Sequence, residues 1–256
     1  MKVIEDMVAW RKLRRDLDGS IGFVPTMGAL HDGHASLMQQ SVAANDVTVL
    51  SIYINPTQFN NPKDLANYPE TLEADLAIAQ DLGVDYVIVP RYADVYADGY
   101  RYQVTETKFS NELCGSNRPG HFTGVLTVVM KLINLVGPQR AYFGKKDYQQ
   151  YVLVQDMCKA FLMDVEIIGC DIIRECDGLA LSSRNKLLNE CARCQASAFN
   201  SVLRKACSDE RARAALIDLG VDVDYVETRD DRRFGAIVVD CGEKSVRLID
   251  NVGLAG

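Results

Sequence analysis

Two of the three histidines in this chain, His31 and His34, lie in an H-x-G-H segment. The segment follows an apolar run predicted as a strand, Ile21–Val24, and begins a predicted helix near residues 34–44. A helix start carries unpaired N–H groups and positive partial charge, so it favours phosphate. Imidazoles at this spacing can both face one anion and donate protons or hydrogen bonds to it. A polar turn with two structural histidines is the alternative interpretation of the segment by itself.

Four further segments place polar or charged side chains after a predicted strand or before a predicted helix. They are N-P-T-Q-F from Asn55, R-P-G-H-F-T-G-V from Arg118, F-G-K-K-D-Y-Q-Q from Phe143, and D-G-L-A-L-S-S-R-N from Asp177. Each one alone is also typical of a structural loop. Parallel α/β sheets bind ligands at the carboxyl ends of their strands. Together the five segments therefore predict one binding site at that edge.

The elements that must position these side chains alternate along the first three-quarters of the chain, which favours a parallel α/β sheet. The predicted strands are Ile21–Val24, Val47–Ile54, Tyr86–Val89, Arg140–Phe143 and Val165–Ile168. The predicted helices lie near 34–44, 71–82, 123–136 and 147–160. A helical region and three short strands then predict a smaller α+β domain. We expect a catalytic domain over 1–184 and a small domain over 185–256.

Composition excludes several classes of function. The 256 residues carry a net charge of -7, and the one dense basic run, at 10–15, fits an amphipathic first helix. We therefore expect no nucleic-acid partner. We also expect no membrane span or signal peptide, and a cytoplasmic protein. Among the eight cysteines, Cys191 and Cys194 form a single C-x-x-C. That pair is a weak signal for metal or redox use, and reduced thiols are the preferred interpretation.

Neither the P-loop pattern nor G-x-G-x-x-G occurs, so phosphate must be bound in another way. The five segments, with Y-P-E-T at Tyr68, resemble the pantoate–β-alanine ligase family, in the family's order and over nearly all of residues 1–190. The H-x-G-H piece alone indicates only the wider nucleotidyltransferase superfamily, which includes class I aminoacyl-tRNA synthetases.

The resemblance implies a Rossmann-like N-terminal domain, a smaller C-terminal α+β lid and a homodimer. It also implies two reaction steps at one site. ATP and pantoate would give pantoyl adenylate and pyrophosphate, and β-alanine would then displace AMP to give pantothenate. Catalysis of the first step would be mainly positioning and charge stabilisation.

Carried over from the family, the catalytic residues would be His34 as proton donor together with His31, Lys146, Ser182, Ser183 and Arg184. The wider ATP site would comprise Met27, Gly28, Ala29, Leu30, His31, Asp32, Gly33 and His34, then Gly144, Lys145, Lys146 and Asp147, and finally Ile173 and Leu181 through Arg184. Pantoate and β-alanine would meet Gln58, Gln150, Asn55 and Tyr68. Mg²⁺ would accompany the nucleotide, near Asp75.

Two features depart from the family pattern. The C-terminal domain is shorter than typical, with little between Thr228 and Phe234. Lys145 stands where the family usually has glutamate, which reverses a charge beside the expected ATP site. Two other functions remain open from the residues alone. One is a nucleotidyltransferase that makes a dinucleotide or an adenylylated cofactor. The other is a nucleotide-binding regulator without turnover, which loss of His34, Lys146 or Arg184 would have favoured.

Overall fold

A computed structural model describes residues 1–242 and 244–254, which divide into two compact units. The first comprises Met1–Lys145 and Gln149–Cys170, and the second comprises Lys146–Tyr148 and the chain from Asp171 onward. The boundary predicted after Arg184 therefore lies within the chain of the second unit.

The first unit is built on a six-stranded parallel sheet. Its strands are β1 (Lys2–Ile4), β2 (Ile21–Thr26), β3 (Val47–Ile52), β4 (Tyr86–Ile88), β5 (Arg140–Gly144) and β6 (Glu166–Cys170). The helices along this part of the chain are α1 (Met7–Arg15), α2 (Asp32–Ala44), α3 (Pro62–Ala66), α4 (Leu72–Asp81), α5 (Tyr92–Val95), α6 (His121–Val136) and α7 (Tyr148–Ala160). The predicted parallel α/β class is confirmed.

The strand order is β1-β4-β3-β2-β5-β6. From β2 the chain moves outward to β3 and β4, and it then returns to place β5 on the other side of β2. The order of the sheet reverses at β2 and β5, and such a reversal opens a crevice at the carboxyl ends of the strands. The H-x-G-H segment follows β2 directly, so the fold places it at this crevice.

Two details differ from the sequence-based prediction. Pro25 was expected to end its strand, but β2 continues to Thr26 and Pro25 pairs in register with Ser51 of β3. Proline is tolerated there because β5 pairs with β2 upstream, at Gly22 and Phe23. Strand β1 was missed because three residues at a sheet edge are too few for a periodic pattern.

The second unit has its own antiparallel sheet, in the order β7-β8-β9. The strands are β7 (Asp222–Arg229), β8 (Arg232–Asp240) and β9 (Ser245–Gly253), and the helices are α8 (Glu190–Ser197), α9 (Phe199–Lys205) and α10 (Asp209–Asp218). Buried residues of the helices, including Phe199, Leu203 and Leu216, share one core with the sheet residues Ile237 and Val239. The predicted α+β class of the smaller part is therefore confirmed.

The predicted helical region near 186–219 is divided by side-chain caps. Asn189 accepts a hydrogen bond from the N–H of Ala192, and Ser208 accepts one from that of Arg211. Asn and Ser favour such cap positions because their side chains satisfy N–H groups that the first turn leaves unpaired. Within the described residues, no helix is both long enough and apolar enough to cross a membrane.

Candidate active site

The loop after β2 has an unusual backbone conformation. Gly28 has φ of 80° and Ala29 has φ of 51°, both in the left-handed region. A Cβ atom at Gly28 would lie 2.9 Å from a carboxylate oxygen of Asp75 and 3.2 Å from Ile52. Only glycine fits at position 28, because both the backbone angle and the available space exclude a side chain.

Asp75 holds this loop in place. Its side chain is 2% exposed, and its two carboxylate oxygens accept the N–H groups of Ala29 at 2.9 Å and Leu30 at 2.8 Å. The Thr71 hydroxyl also donates to the Asp75 carboxylate, at 3.1 Å. Asp75 was expected near Mg²⁺, whereas in the structure it satisfies and orients the main chain of the H-x-G-H loop.

His31 and His34 lie together at the start of α2. His31 is the N-cap residue, and its Nδ1 accepts the N–H of Gly33 at 3.1 Å. A ring nitrogen that accepts a hydrogen bond carries no proton, so the imidazole is neutral with its proton on Nε2. The two rings have centroids 4.1 Å apart, and both side chains are half-buried. The two rings therefore lie side by side, and their facing one anion stays a prediction.

Gln58 follows β3 in the N-P-T-Q-F segment, and its side chain is half-buried. Asn55 is only 1% exposed, and its amide contacts Gln58, Thr57, Tyr96 and the Gly124 carbonyl. Asn55 was predicted to contact substrate, but it lies behind Gln58 and supports it. Burial raises the pKa of Tyr96 to about 12, which keeps its hydroxyl protonated.

Helix α6 packs closely against this segment because Gly124 has no side chain. A Cβ at Gly124 would lie 2.5 Å from the Thr57 carbonyl oxygen and 2.8 Å from the Gln58 nitrogen. At the start of the same helix, His121 is 7% exposed, with Nδ1 2.8 Å from the Gln58 carbonyl oxygen. The third histidine therefore contacts the N-P-T-Q-F segment.

The two glutamines after β5 have different environments. Gln149 is 5% exposed and bonds to the main chain at Phe109, Glu112 and Cys114. Gln150 is half-buried, which leaves its side chain accessible. Gln150 remains the predicted substrate contact. Tyr68, also half-buried, packs its ring edge-on against Phe59 with centroids 5.7 Å apart.

Lys145 belongs to the first unit, whereas Lys146 and Asp147 belong to the second. The three residues form a short 3-10 turn after Gly144. The stem of Lys145 lies beside Gly169 of β6, where a Cβ would come 3.1 Å from Lys145 Cε. In the second unit, the main-chain oxygen of Lys146 accepts the Asn251 amide at 3.0 Å.

The S-S-R-N segment of the second unit is held by a hydrogen-bond network. The Ser182 hydroxyl accepts the Arg184 N–H at 3.3 Å, and the Asn185 amide donates to Glu175 at 2.8 Å. Arg193 donates to both oxygens of Glu175, at 2.9 and 2.8 Å, and these hydrogen bonds hold the Glu175 pKa below its usual range. Ser182 and Ser183 are half-buried and Arg184 is exposed, so these side chains are accessible to a ligand.

The remaining residues of the predicted ATP site, Ile173 and Leu181, precede this segment. The N–H of Leu181 donates to the Ile173 carbonyl oxygen at 3.0 Å. The Ile173 side chain is 37% exposed, and that of Leu181 is half-buried. Both apolar side chains are therefore partly accessible.

Residues 1–242 and 244–254 contain no group of three or more His, Cys, Asp or Glu side chains placed to hold a metal ion. Mg²⁺ usually binds through substrate phosphates and one or two carboxylates.

Two supporting residues were not identified from the sequence. Tyr96 contacts Asn55, and Thr71 contacts Asp75. Their contacts join positions far apart in the chain, and no local pattern indicates them. The R-P-G-H-F-x-G motif was a signal for His121, although the expected role was binding an anion.

A parallel sheet with an H-x-G-H helix start at its switch point defines an α/β nucleotide-binding protein. The family model for pantoate-beta-alanine ligase matches residues 1–253. The chain belongs to the pantoate-beta-alanine ligase family.

Related sequences align with nearly the whole length of this chain. A pantothenate synthetase of Coxiella burnetii is 49% identical over 255 residues, covering 99% of this chain and 97% of that protein. One from Bdellovibrio bacteriovorus is 51% identical over 244 residues, covering 95% and 94%.

Solved structures show the same fold. The Francisella tularensis pantoate-beta-alanine ligase, complexed with beta-gamma ATP and beta-alanine, has a TM-score of 0.91 and 39% identity, covering 99% of this chain and 97% of that one. The Thermus thermophilus pantothenate synthetase has a TM-score of 0.88 and 35% identity, with complete coverage of both chains.

Proposed function

We propose that this protein condenses pantoate with β-alanine to form pantothenate, using ATP and releasing AMP and pyrophosphate. The observation that carries the proposal is the H-x-G-H helix start at the switch point of the sheet, in a chain that belongs to this ligase family. That site favours a nucleotide phosphate, and the neighbouring strand end supplies amide side chains suited to a hydroxy acid.

In the first step a pantoate carboxylate oxygen attacks the α-phosphorus of ATP. A new P–O bond forms, the bond to the β-phosphate bridging oxygen breaks, and pyrophosphate leaves. Residues 27–34 form the ATP loop, in which the start of α2 and His31 hold the phosphates while His34 donates a hydrogen bond or proton to the leaving oxygen. Lys146, Ser182, Ser183 and Arg184 stabilise the triphosphate charge, and Asp147 binds the ribose.

In the second step the β-alanine amine attacks the acyl carbon of pantoyl adenylate. The C–N bond forms, the bond to the AMP oxygen breaks, and the amine loses a proton to solvent or a neighbouring base. Gln58 and Gln150 hold pantoate, with Gln58 also near the amine, and Tyr68 borders this part of the site. The protein's main contribution is to hold the amine and the acyl carbon in reacting geometry.

Mg²⁺ is proposed to enter on the ATP phosphates, where it would neutralise charge on the leaving pyrophosphate. We further propose a cytoplasmic homodimer, in which residues 1–184 bind ATP and pantoate and residues 185–256 act as a lid. These proposals rest on the family and on the accessible polar side chains described above.

The decisive experiment measures AMP release from ATP with pantoate and β-alanine supplied separately and together. We expect AMP only when both are present, and pantoate-dependent exchange of pyrophosphate into ATP without β-alanine. Exchange without AMP formation would mean that the second step is lost. ATP binding with neither reaction would indicate a nucleotide-binding regulator.

A further inference from the structure

Asn55 uses its whole hydrogen-bonding capacity within the protein. Its Oδ1 accepts the Tyr96 hydroxyl at 2.7 Å and the Thr57 hydroxyl at 3.0 Å. Its Nδ2 donates to Gln58 Oε1 at 3.0 Å and to the Gly124 carbonyl oxygen at 3.2 Å. An amide side chain has two donor hydrogens and two acceptor lone pairs, and these four contacts occupy all of them.

The orientation of this amide follows from the Gly124 carbonyl. A carbonyl oxygen can only accept, so the Asn55 atom facing it must be the NH₂ group. The same NH₂ group faces Gln58, which must therefore present its oxygen to Asn55. The Gln58 NH₂ group is then turned away from Asn55, and Gln58 offers donors to a ligand.

The main chain of Gln58 is fixed independently. Its carbonyl oxygen accepts from His121 Nδ1 at 2.8 Å and from the Arg118 guanidinium at 3.3 Å. Arg118 also lies 3.0 Å from His121 Nε2, and a guanidinium only donates. Nε2 must therefore accept and Nδ1 must carry the proton, which makes His121 a neutral donor to Gln58.

Tyr96 directly follows α5, and its surroundings fix its ring. It is 2% exposed, and its ring packs against Tyr92 and Tyr100 with centroids 5.1 and 5.2 Å away. Lys131 Nζ lies 5.1 Å from the centroid of the Tyr96 ring and is paired with Asp98 at 2.8 Å. These contacts aim the Tyr96 hydroxyl at the Asn55 oxygen.

We propose that Tyr96 is a positioning residue that, through Asn55, fixes Gln58 as a hydrogen-bond donor to an acceptor oxygen of the hydroxy-acid substrate. The hydrogen bonds run in one direction: the Tyr96 hydroxyl donates to Asn55, Asn55 donates to Gln58, and Gln58 donates to the substrate. The inference rests on the proposed function, because the acceptor it assigns is an oxygen of pantoate.

The test compares Tyr96→Phe with Tyr92→Phe in pantoate-dependent exchange of pyrophosphate into ATP. Each variant loses one phenol hydroxyl within the same aromatic cluster, but only Tyr96 donates to Asn55. For Tyr96→Phe we expect kcat/KM for pantoate to fall about three- to tenfold, the usual effect of losing one neutral hydrogen bond. KM for ATP should stay unchanged, and Tyr92→Phe should match the parent protein.

A second arm uses Gln58→Met, which keeps the length of the side chain but has no amide. If Tyr96 acts through Gln58, adding Tyr96→Phe to Gln58→Met will cause no further loss. If pyrophosphate exchange by Gln58→Met is too slow to measure, the test is the rate at which the Asn55 side-chain NH₂ protons exchange with water, measured by NMR. They should exchange faster in Tyr96→Phe than in Tyr92→Phe.

The inference would be overturned if Tyr96→Phe lowered kcat/KM for pantoate equally in the parent protein and in Gln58→Met. It would also be overturned if Tyr96→Phe raised KM for ATP as much as KM for pantoate. Either result would indicate general loosening of the fold. An unchanged rate of exchange of the Asn55 NH₂ protons in Tyr96→Phe would overturn it as well. Absence of pantoate-dependent exchange in the parent protein would instead contradict the proposed function.

Discussion

At the scale of single residues, the two histidines of H-x-G-H have different tasks. His31 Nδ1 caps α2, whereas His34 lies within the first turn, its ring next to that of His31. Replacing His34 with alanine should reduce adenylate formation by roughly two to four orders of magnitude, because a positioned proton donor contributes about that much.

The measurement is pyrophosphate exchange at saturating ATP and pantoate. His31→Asn serves as a folding control, because asparagine also caps helices well and should preserve the melting temperature. Near-normal exchange by His34→Ala would remove His34 from the mechanism.

The adjacent lysines offer a matched pair. Lys145 runs along Gly169 of β6, whereas the Lys146 side chain is 21% exposed and its ammonium lies 3.9 Å from the Asp147 carboxylate. We expect Lys146→Ala to raise KM for ATP far more than Lys145→Ala, because Lys146 is the proposed phosphate ligand. Comparable KM values for the two variants would mean that the phosphate role was assigned to the wrong lysine.

At the scale of elements, helix propensity and steric overlap have opposite effects on the stability of a Gly124→Ala variant. Alanine is favoured over glycine in a helix by about 1 kcal/mol, so propensity alone predicts that Gly124→Ala stabilises α6. The added Cβ would lie 2.5 Å from the Thr57 carbonyl oxygen, and main-chain atoms cannot move aside cheaply. We expect a net loss of about 1–3 kcal/mol in the free energy of unfolding.

Denaturant unfolding measures this loss, and KM for pantoate should rise in parallel because the Gln58 segment is displaced. Gly124→Ser should be at least as harmful as Gly124→Ala. A gain in stability for Gly124→Ala would show that α6 does not press on this segment.

Asp75 links α4 to the loop after β2. In Asp75→Asn, one carboxylate oxygen becomes an NH₂ group facing a main-chain N–H, so two donors oppose each other. The cost should be about 1–3 kcal/mol in stability. KM for ATP should rise, because the loop proposed to bind phosphate loses its support.

Thermal unfolding and ATP titration check the Asp75 prediction together. If Asp75 were chiefly a metal ligand, the variant would instead need more Mg²⁺ for half-maximal activity and keep the melting temperature of the parent protein.

At the scale of the whole molecule, removing divalent metal should separate activity from stability. Because the proposed Mg²⁺ enters on the ATP phosphates, a chelator should abolish AMP formation and leave the melting temperature of the ligand-free protein unchanged. Added Mg²⁺ should restore the reaction. A melting temperature several degrees lower in chelator would reveal a structural metal.

The sequence predicted the parallel sheet well because its strands are continuous apolar runs followed by glycine or proline. It also placed His31, His34 and Gly28 together in the turn and helix start after β2, since their signal is local. It did not predict that Asn55 lies behind Gln58 or that Asp75 bonds to Ala29 and Leu30. These contacts join β3 to α5 and α4 to the loop after β2, and residue types alone do not reveal which distant main-chain group a buried carboxylate or amide will meet.

The pairing of distant strands has a consequence for synthesis on the ribosome. Lys2 of β1 pairs with Tyr86 of β4, and Gly22 of β2 pairs with Arg140 of β5. At about 5–20 residues per second, several seconds separate the translation of each strand from that of its partner. During that interval the apolar strand β2 emerges with one edge uncovered, which invites aggregation. The time before β5 appears is therefore when the nascent chain most needs a chaperone.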